Sequence, residues 1–268
     1  MPERRMRLDM LLAERGLFPS RTRAAAAVMA GDVMLGSGAR RAEKPGELVH
    51  PAEAIRVRER PAWASRGAIK LANALAASSL PVGGRRALDV GAATGGFTDC
   101  LLEHGARSVV AVDVGYGLLA WRLRNDPRVT VLERTNARTL LPESLPYRPD
   151  LAAIDVSFIS LAKVLPAVLG CMADTYDVLA MIKPQFEVGR ERVGKGGVVR
   201  DPGARRSALA SVGACALAQG VGVLGYHSSG LPGPKGNRET FVHLTEPGRA
   251  GTARDVEQLT AMIDGVEP

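Results

Sequence analysis

Ala87-Leu88-Asp89-Val90-Gly91-Ala92-Ala93-Thr94-Gly95-Gly96-Phe97 reads as a short apolar strand, a glycine-bearing turn and the opening of a helix. That order is how open parallel α/β sheets present a ligand, at the carboxyl ends of their strands. Glycine admits the close backbone approach that a Cβ would block. A dinucleotide turn requires Gly-x-Gly-x-x-Gly. Here Gly91-Ala92-Ala93-Thr94-Gly95-Gly96 brings the second glycine too late for that template.

The acid two residues before the first glycine narrows the ligand further. Asp89 would repel a pyrophosphate and suits a cation. S-adenosyl-L-methionine carries a sulfonium and an α-ammonium and no phosphate, so the turn favours it as cofactor. Asp113, ending the next strand, is placed to accept ribose hydroxyls, as the corresponding acid does in dinucleotide sites. Taken alone, Asp113 reads equally well as a helix cap. Asn136, past the third strand, is placed near an adenine edge.

Outward from this stretch the chain alternates strand and helix. Strands are predicted at residues 86–90, 108–114, 129–134, 151–156, 178–183, 221–226 and 239–244. Helical patterns fall at residues 97–104, 119–124, 160–172 and 203–219, with a closing helix over 252–263. Right-handed crossovers make this one open, mostly parallel sheet with helices on both faces. A further helix opens at Ser65-Arg66-Gly67-Ala68-Ile69-Lys70-Leu71. An isolated lysine such as Lys70 on its first turn would normally be solvated.

The first sixty residues read differently. Leu8, Leu11 and Leu12 mark a helix that Gly16 stops. Ser20 is an N-cap for an alanine-rich helix over 21–30, which Gly31 closes. Short strands and turns follow at 32–35 and 55–58. These residues hold twelve Lys and Arg against eight Asp and Glu, a net of +4 out of +7 for the whole chain. Such an excess fits a polyanionic partner, nucleic acid before anionic membrane, although Arg-rich composition alone also produces it. Arg5, Arg7, Arg21, Arg23 and Lys44 are the candidate phosphate contacts, with a solvated helix face as the plain alternative. Residues 1–60 are therefore one small α+β domain, 61–66 a linker and 67–268 the larger domain. Trp63 either docks the linker onto one domain or packs in a core.

Cys100, Cys171 and Cys215 are odd in number and lack metal-ligand spacing, so they read as buried apolar residues in a reducing compartment. The four histidines form no cluster, and no metal site is expected. No secretory leader is recognisable, and no apolar run reaches the roughly 18 residues of a membrane helix. The expected location is the cytoplasm, without stable membrane association, and a monomer is the simplest assembly.

Two resemblances sharpen this. Arg7-Leu8-Asp9-Met10-Leu11-Leu12, Arg15-Gly16-Leu17 and Ser20-Arg21 resemble the small RNA-binding domain first known from a small-subunit ribosomal protein (the S-four domain), over about residues 5–58. Asp89–Thr98 resembles the first motif of the FtsJ-like ribose methyltransferases. The likeness continues through Asp113-Val114-Gly115-Tyr116-Gly117, Glu133-Arg134-Thr135-Asn136, Asp155-Val156-Ser157-Phe158, Lys183-Pro184-Gln185-Phe186-Glu187 and Gly233-Pro234-Lys235-Gly236-Asn237-Arg238-Glu239. With the basic domain in front, the chain resembles the TlyA family, also labelled haemolysin A, nearly end to end. Lys235 is a departure from the family pattern.

The resemblance implies a Rossmann-like class I S-adenosylmethionine-dependent methyltransferase sheet. It implies cofactor contacts at Asp89, Gly91, Thr94, Gly95, Gly96, Phe97, Asp113 and Asn136. It also implies a catalytic Lys70, Asp155, Lys183 and Glu239 set, acting on ribosomal RNA in the large and possibly the small subunit. An unperturbed lysine, with a pKa of about 10.4, is a poor base, and burial beside a second cation lowers it. The expectation is therefore Lys183 as base or hydroxyl-orienting group, helped by Lys70. Arg66, Arg134 and Phe158 are further RNA candidates, Phe158 by stacking on an extruded base, with core packing as its alternative. Residues 190–197 read as a basic loop over the RNA or an ordinary surface loop. The rival functions are a membrane-active haemolysin and a non-catalytic RNA-binding protein.

Overall fold

The computed structural model describes residues 5–57 and 63–266. Arg4, Arg58, Arg60 and the first linker residues 61–62 lie outside them. The chain divides into two units, Met1–Ala62 and Trp63–Pro268.

In the first unit, β1 (Met6–Arg7) leads into α1 (Leu8–Glu14), followed by α2 (Arg21–Ala30), β2 (Val33–Leu35), β3 (Arg40–Arg41), β4 (Leu48–Val49) and β5 (Ile55–Val57). Ser20 caps α2 by accepting the Arg23 amide at 3.3 Å, and Gly31 ends it in a left-handed conformation. Leu8, Leu12, Val28, Val33 and Leu35 form its core. The two-residue strands β1, β3 and β4 escape sequence reading because a dipeptide carries no period. Asp9 is buried, although it lies on a charged helix. Arg7 donates to it at 2.8 and 3.1 Å, and Arg21 at 3.1 Å. Those guanidiniums hold the Asp9 carboxyl down at about 2.

The second unit begins with α3 (Gly67–Ser78) and continues through β6 (Arg86–Val90), α4 (Gly96–Glu103), β7 (Ser108–Val112), α5 (Trp121–Arg124), β8 (Val129–Leu132), β9 (Leu151–Ile154) and α6 (Leu165–Cys171). Then come β10 (Asp177–Ile182), α7 (Pro184–Glu187), α8 (Pro202–Ala218), β11 (Gly222–Ser228), β12 (Thr240–Thr245) and α9 (Val256–Asp264). The seven strands lie in the order β11-β12-β10-β9-β6-β7-β8. Only β12 runs against its neighbours.

Strand residues alternate between two cores. Leu88, Val90, Val110, Val112, Ala152 and Ile154 face one side, together with residues of α6, α8 and α9. Ala87, Val109, Ala111, Leu151 and Ala153 face the other, with residues of α3 and α4. Burial on both faces is why these strands read as continuous apolar runs. Trp63 packs against the second core, and its indole donates to Glu103, so residues 63–66 belong with the larger unit.

Several boundaries moved for local reasons. β7 stops at Val112 because the Asp113 side chain takes the Gly115 amide at 2.6 Å and turns the chain. The single helix expected over 160–172 is a short 3₁₀ turn followed by α6, with Pro166 in the first turn of α6. α9 starts at Val256 because Asp255 caps it, accepting from Gln258 at 2.9 Å. α7 is only four residues long and has no period to read. Cys100 and Cys171 are buried as expected, but Cys215 is partly exposed.

The strand order places the chain reversal between β6 and β9. β6, β7 and β8 run to one edge, and the chain then returns to the other side of β6. This is the topological switch point, where such sheets bind ligands. Gly91 leaves β6 at φ +87°, and a Cβ there would fall 2.3 Å from the Asp155 carbonyl oxygen just past β9. The turn therefore requires glycine for two reasons, conformation and space.

Candidate active site

The four polar residues singled out in the sequence converge on one cavity of about 540 Å³ beside the switch point. They form two lysine–carboxylate pairs. Lys70 is 7% exposed and pairs with Glu239, itself 3% exposed. Lys70, which in isolation would be solvated, is thus buried against its partner. Gly233 makes room for this pair, since a Cβ there would fall 2.4 Å from Glu239 Oε1. Across the cavity, Lys183 Nζ lies 2.5 Å from Asp155 Oδ1 and donates to Ser157 Oγ at 2.9 Å. Asp155 follows β9 and Lys183 follows β10, adjacent parallel strands, so both side chains stand at the ligand-binding edge. Each lysine is partnered by a carboxylate, because a buried charge requires an opposite one.

The cofactor candidates lie next door and do not line this cavity. Asp89 sits beneath the glycine turn, wholly buried, and its Oδ2 accepts the Thr98 amide at 2.7 Å and the Thr98 hydroxyl at 2.6 Å. Gly95 at the N-cap of α4 has no side chain to cap with, so Asp89 supplies the cap from the strand. Its Oδ1 is buried with no partner among the described residues. Burial, opposed by the Thr98 hydrogen bonds, pushes the Asp89 carboxyl up to about 7. Asp113 ties the turn to the next loop by accepting from Ala93 at 2.9 Å and Gly115 at 2.6 Å. Thr94 and Asn136 are exposed at the same edge, and Asn136 also accepts from Arg138 at 3.0 Å.

Two cofactor candidates are taken up by packing. The Phe97 ring is 3% exposed and packs on Phe241 at 5.8 Å, so it belongs to the core between α3, α4 and the sheet. Gly96 is buried against Ser65 and the start of α3, where it serves helix packing. A glycine turn at the switch point over an unpartnered buried carboxylate oxygen fits S-adenosyl-L-methionine, whose cationic groups answer that charge.

Among the RNA candidates, Phe158 lines the cavity, is 91% exposed and adopts a left-handed φ of +64°. Core packing is therefore not its role. Its ring lies 5.3 Å from that of Phe186. Arg66 also lines the cavity. Arg134 does not, and its guanidinium stacks 4.4 Å above the Tyr116 ring. Arg5, Arg7, Arg21, Arg23 and Lys44 are all exposed in the first unit, with Arg7 and Arg21 held by Asp9.

Sequence reading missed Ser157, Gln185 and Asn237, although all three lie inside the quoted motifs. Asn237 is 2% exposed and clamps two loops by donating to the Gly197 carbonyl at 2.8 Å and accepting from Val199 at 2.9 Å. That clamp makes residues 194–199 a braced wall of the cavity, overlapping the stretch 190–197 that reads in sequence as a basic loop over the RNA or an ordinary surface loop.

Fold and site together define a methyltransferase of the α/β class that uses S-adenosyl-L-methionine. The sequence model of the FtsJ-like methyltransferases matches residues 63–246. The chain is 51% identical over 258 residues to the 16S/23S rRNA (cytidine-2'-O)-methyltransferase TlyA of Mycobacterium tuberculosis, covering 95% of each chain. It is 36% identical to Hemolysin A of Brachyspira hyodysenteriae, covering 89% of this chain and 99% of that one. A solved structure from Streptococcus thermophilus that carries the hemolysin label superposes with a TM-score of 0.69 at 38% identity, covering 98% of this chain and 97% of that one. The chain belongs to the FtsJ-like methyltransferase family. Among the described residues, no helix is long and apolar enough to cross a membrane, and no group of three His, Cys, Asp or Glu is placed to hold a metal ion.

Proposed function

We propose that the protein is a ribosomal RNA 2'-O-methyltransferase that modifies cytidine in the large subunit and in the small subunit, working in the cytoplasm as a monomer. The observation that carries this reading is the Lys183–Asp155–Ser157 cluster facing the Lys70–Glu239 pair across one cavity. A ribose hydroxyl is a weak nucleophile that must be held in line with the methyl carbon and sulfur. The cofactor supplies an already activated methyl group. Lys183 holds the hydroxyl oxygen, and the carboxylate of Asp155 fixes Lys183 in place. The Lys183–Asp155 pair is placed to take the hydroxyl proton as the oxygen accepts the methyl group that the cofactor would supply. Lys70, fixed by Glu239, bears on the ribose or its phosphate from the other wall.

Phe158 offers its exposed ring to the extruded base, since a ribose inside a helix is reached by flipping the nucleotide. In the first unit, Arg7 and Arg21 stand oriented by Asp9, and with Arg5, Arg23 and Lys44 they suit phosphates and RNA shape more than base sequence. Incubation with methyl-labelled cofactor and each ribosomal subunit, followed by alkaline cleavage, tests the reading. One protected linkage at a cytidine is expected, because 2'-O-methylation removes the attacking hydroxyl. Label incorporated with a complete cleavage ladder means base methylation and refutes the ribose assignment.

A further inference from the structure

Gln185 stands two residues past Lys183 on α7, and Pro184 in the first helical position sets its backbone. Its side chain lines the same cavity as the four polar residues. Its Oε1 is buried, and no donor among the described residues reaches it. A buried carbonyl left without a donor is costly, and native structures keep few of them without a reason. The neighbours indicate the missing donor. The Phe158 and Phe186 rings lie 5.3 Å apart beside it, with Phe158 almost fully exposed. An aromatic face and an amide edge in one cavity are what an unstacked nucleobase needs, one for its plane and one for its hydrogen-bonding edge. Asp89, Gly91, Thr94, Asp113 and Asn136 do not line this cavity, which sets it on the acceptor side of the reaction.

We propose that Gln185 is the specificity-determining residue for the target base, its unpartnered amide turning into the cavity so that Oε1 accepts from the exocyclic amine of cytosine. Cytosine presents an amine donor at that edge, whereas uracil presents a carbonyl. An acceptor in the wall satisfies the first and opposes the second. This assignment rests on the cytidine reading of the same site.

The test uses the full chain with large ribosomal subunits carrying either the natural cytidine or a uridine at the mapped position. Gln185→Met keeps the side-chain volume and removes the amide, and Gln185→Glu keeps an acceptor. Gln185→Met is expected to lose 10- to 100-fold in kcat/KM on cytidine with little change on uridine, so the preference collapses by the same factor. Gln185→Glu is expected to retain the wild-type preference within threefold. Both variants are expected to bind S-adenosyl-L-methionine with unchanged Kd by calorimetry. Equal losses on both substrates, an unchanged preference in Gln185→Met, or a weakened cofactor Kd each overturn the assignment. A wild-type protein that leaves cytidine unmethylated sinks the cytidine reading and this assignment with it. An active wild type with an unaltered Gln185→Met preference sinks this assignment alone.

Discussion

Lys70 and Glu239 lie 169 residues apart in the chain and meet as a buried ion pair, the lysine from the first turn of α3 and the glutamate from the residue before β12. The pair closes one wall of the cavity and joins α3 to the sheet. Removing one partner of such a pair leaves an uncompensated buried charge. Lys70→Ala is expected to cost about 3 to 5 kcal/mol in urea unfolding. The double variant Lys70→Met/Glu239→Gln removes both charges and is expected to recover most of that loss while remaining inactive. A cost below about 1 kcal/mol for Lys70→Ala is what an exposed pair gives, and would show the contact to be solvated.

Lys183 is placed to act on the reaction with little effect on the fold. It is half-buried and contacts Asp155 and Ser157, both at the cavity wall. Lys183→Ala is expected to slow single-turnover methyl transfer by about 10²- to 10⁴-fold, the range for loss of a positioned proton-handling group. Cofactor Kd is expected to stay within threefold. Ser157→Ala removes one hydrogen bond to Lys183 and is expected to cost roughly tenfold in the same assay. A wild-type rate in Lys183→Ala refutes its role.

Asp89 makes both stability and cofactor binding depend on pH. Its carboxyl is pushed from the ordinary 3.8 up to about 7, chiefly by burial. The folded protein therefore holds this proton where the unfolded chain releases it. The stabilisation is complete below pH 4 and is lost as pH rises through 7, by at most about 4 kcal/mol from this group. Asp89→Asn keeps an acceptor for Thr98 and is expected to flatten that limb of the pH–stability curve. A cationic ligand favours the ionised form, so cofactor Kd is expected to tighten from pH 6 to 7 and level off above 7.5, with proton release measurable by calorimetry in two buffers. A pH-independent Kd would assign Asp89 to capping α4 alone.

Phe158 trades stability for binding. A bulky residue at φ +64° carries backbone strain, and a ring left 91% exposed returns no burial energy. Phe158→Gly is expected to stabilise the protein by about 1 kcal/mol. It is also expected to lower kcat/KM on ribosomal subunits by about tenfold or more, the worth of one aromatic–base stack. Thermal unfolding and methyl incorporation read the two effects separately. A variant as active as wild type would leave the strained ring without a function.

Much of this protein is legible from residue order alone. The glycine turn after an apolar strand, the short apolar strands between helical stretches and the basic S-four-like start determined an α/β sheet behind a small second domain, because these signals are local. The resemblance to the FtsJ-like enzymes, carried by motifs in that order, pointed to Lys70, Asp155, Lys183 and Glu239. What it could not determine was partnership. Which lysine meets which carboxylate depends on β9 and β10 lying side by side and on β12 returning antiparallel beside β10, contacts that adjacency in the chain does not encode. The tertiary structure also decided burial, placing Phe97 in a core, leaving Phe158 in the open and turning Gln185 Oε1 inward. Above all it placed Asp89 wholly buried beneath the turn. There the strand's carboxylate caps the helix that Gly95 leaves uncapped and keeps one oxygen unpartnered next to the methyl donor's site.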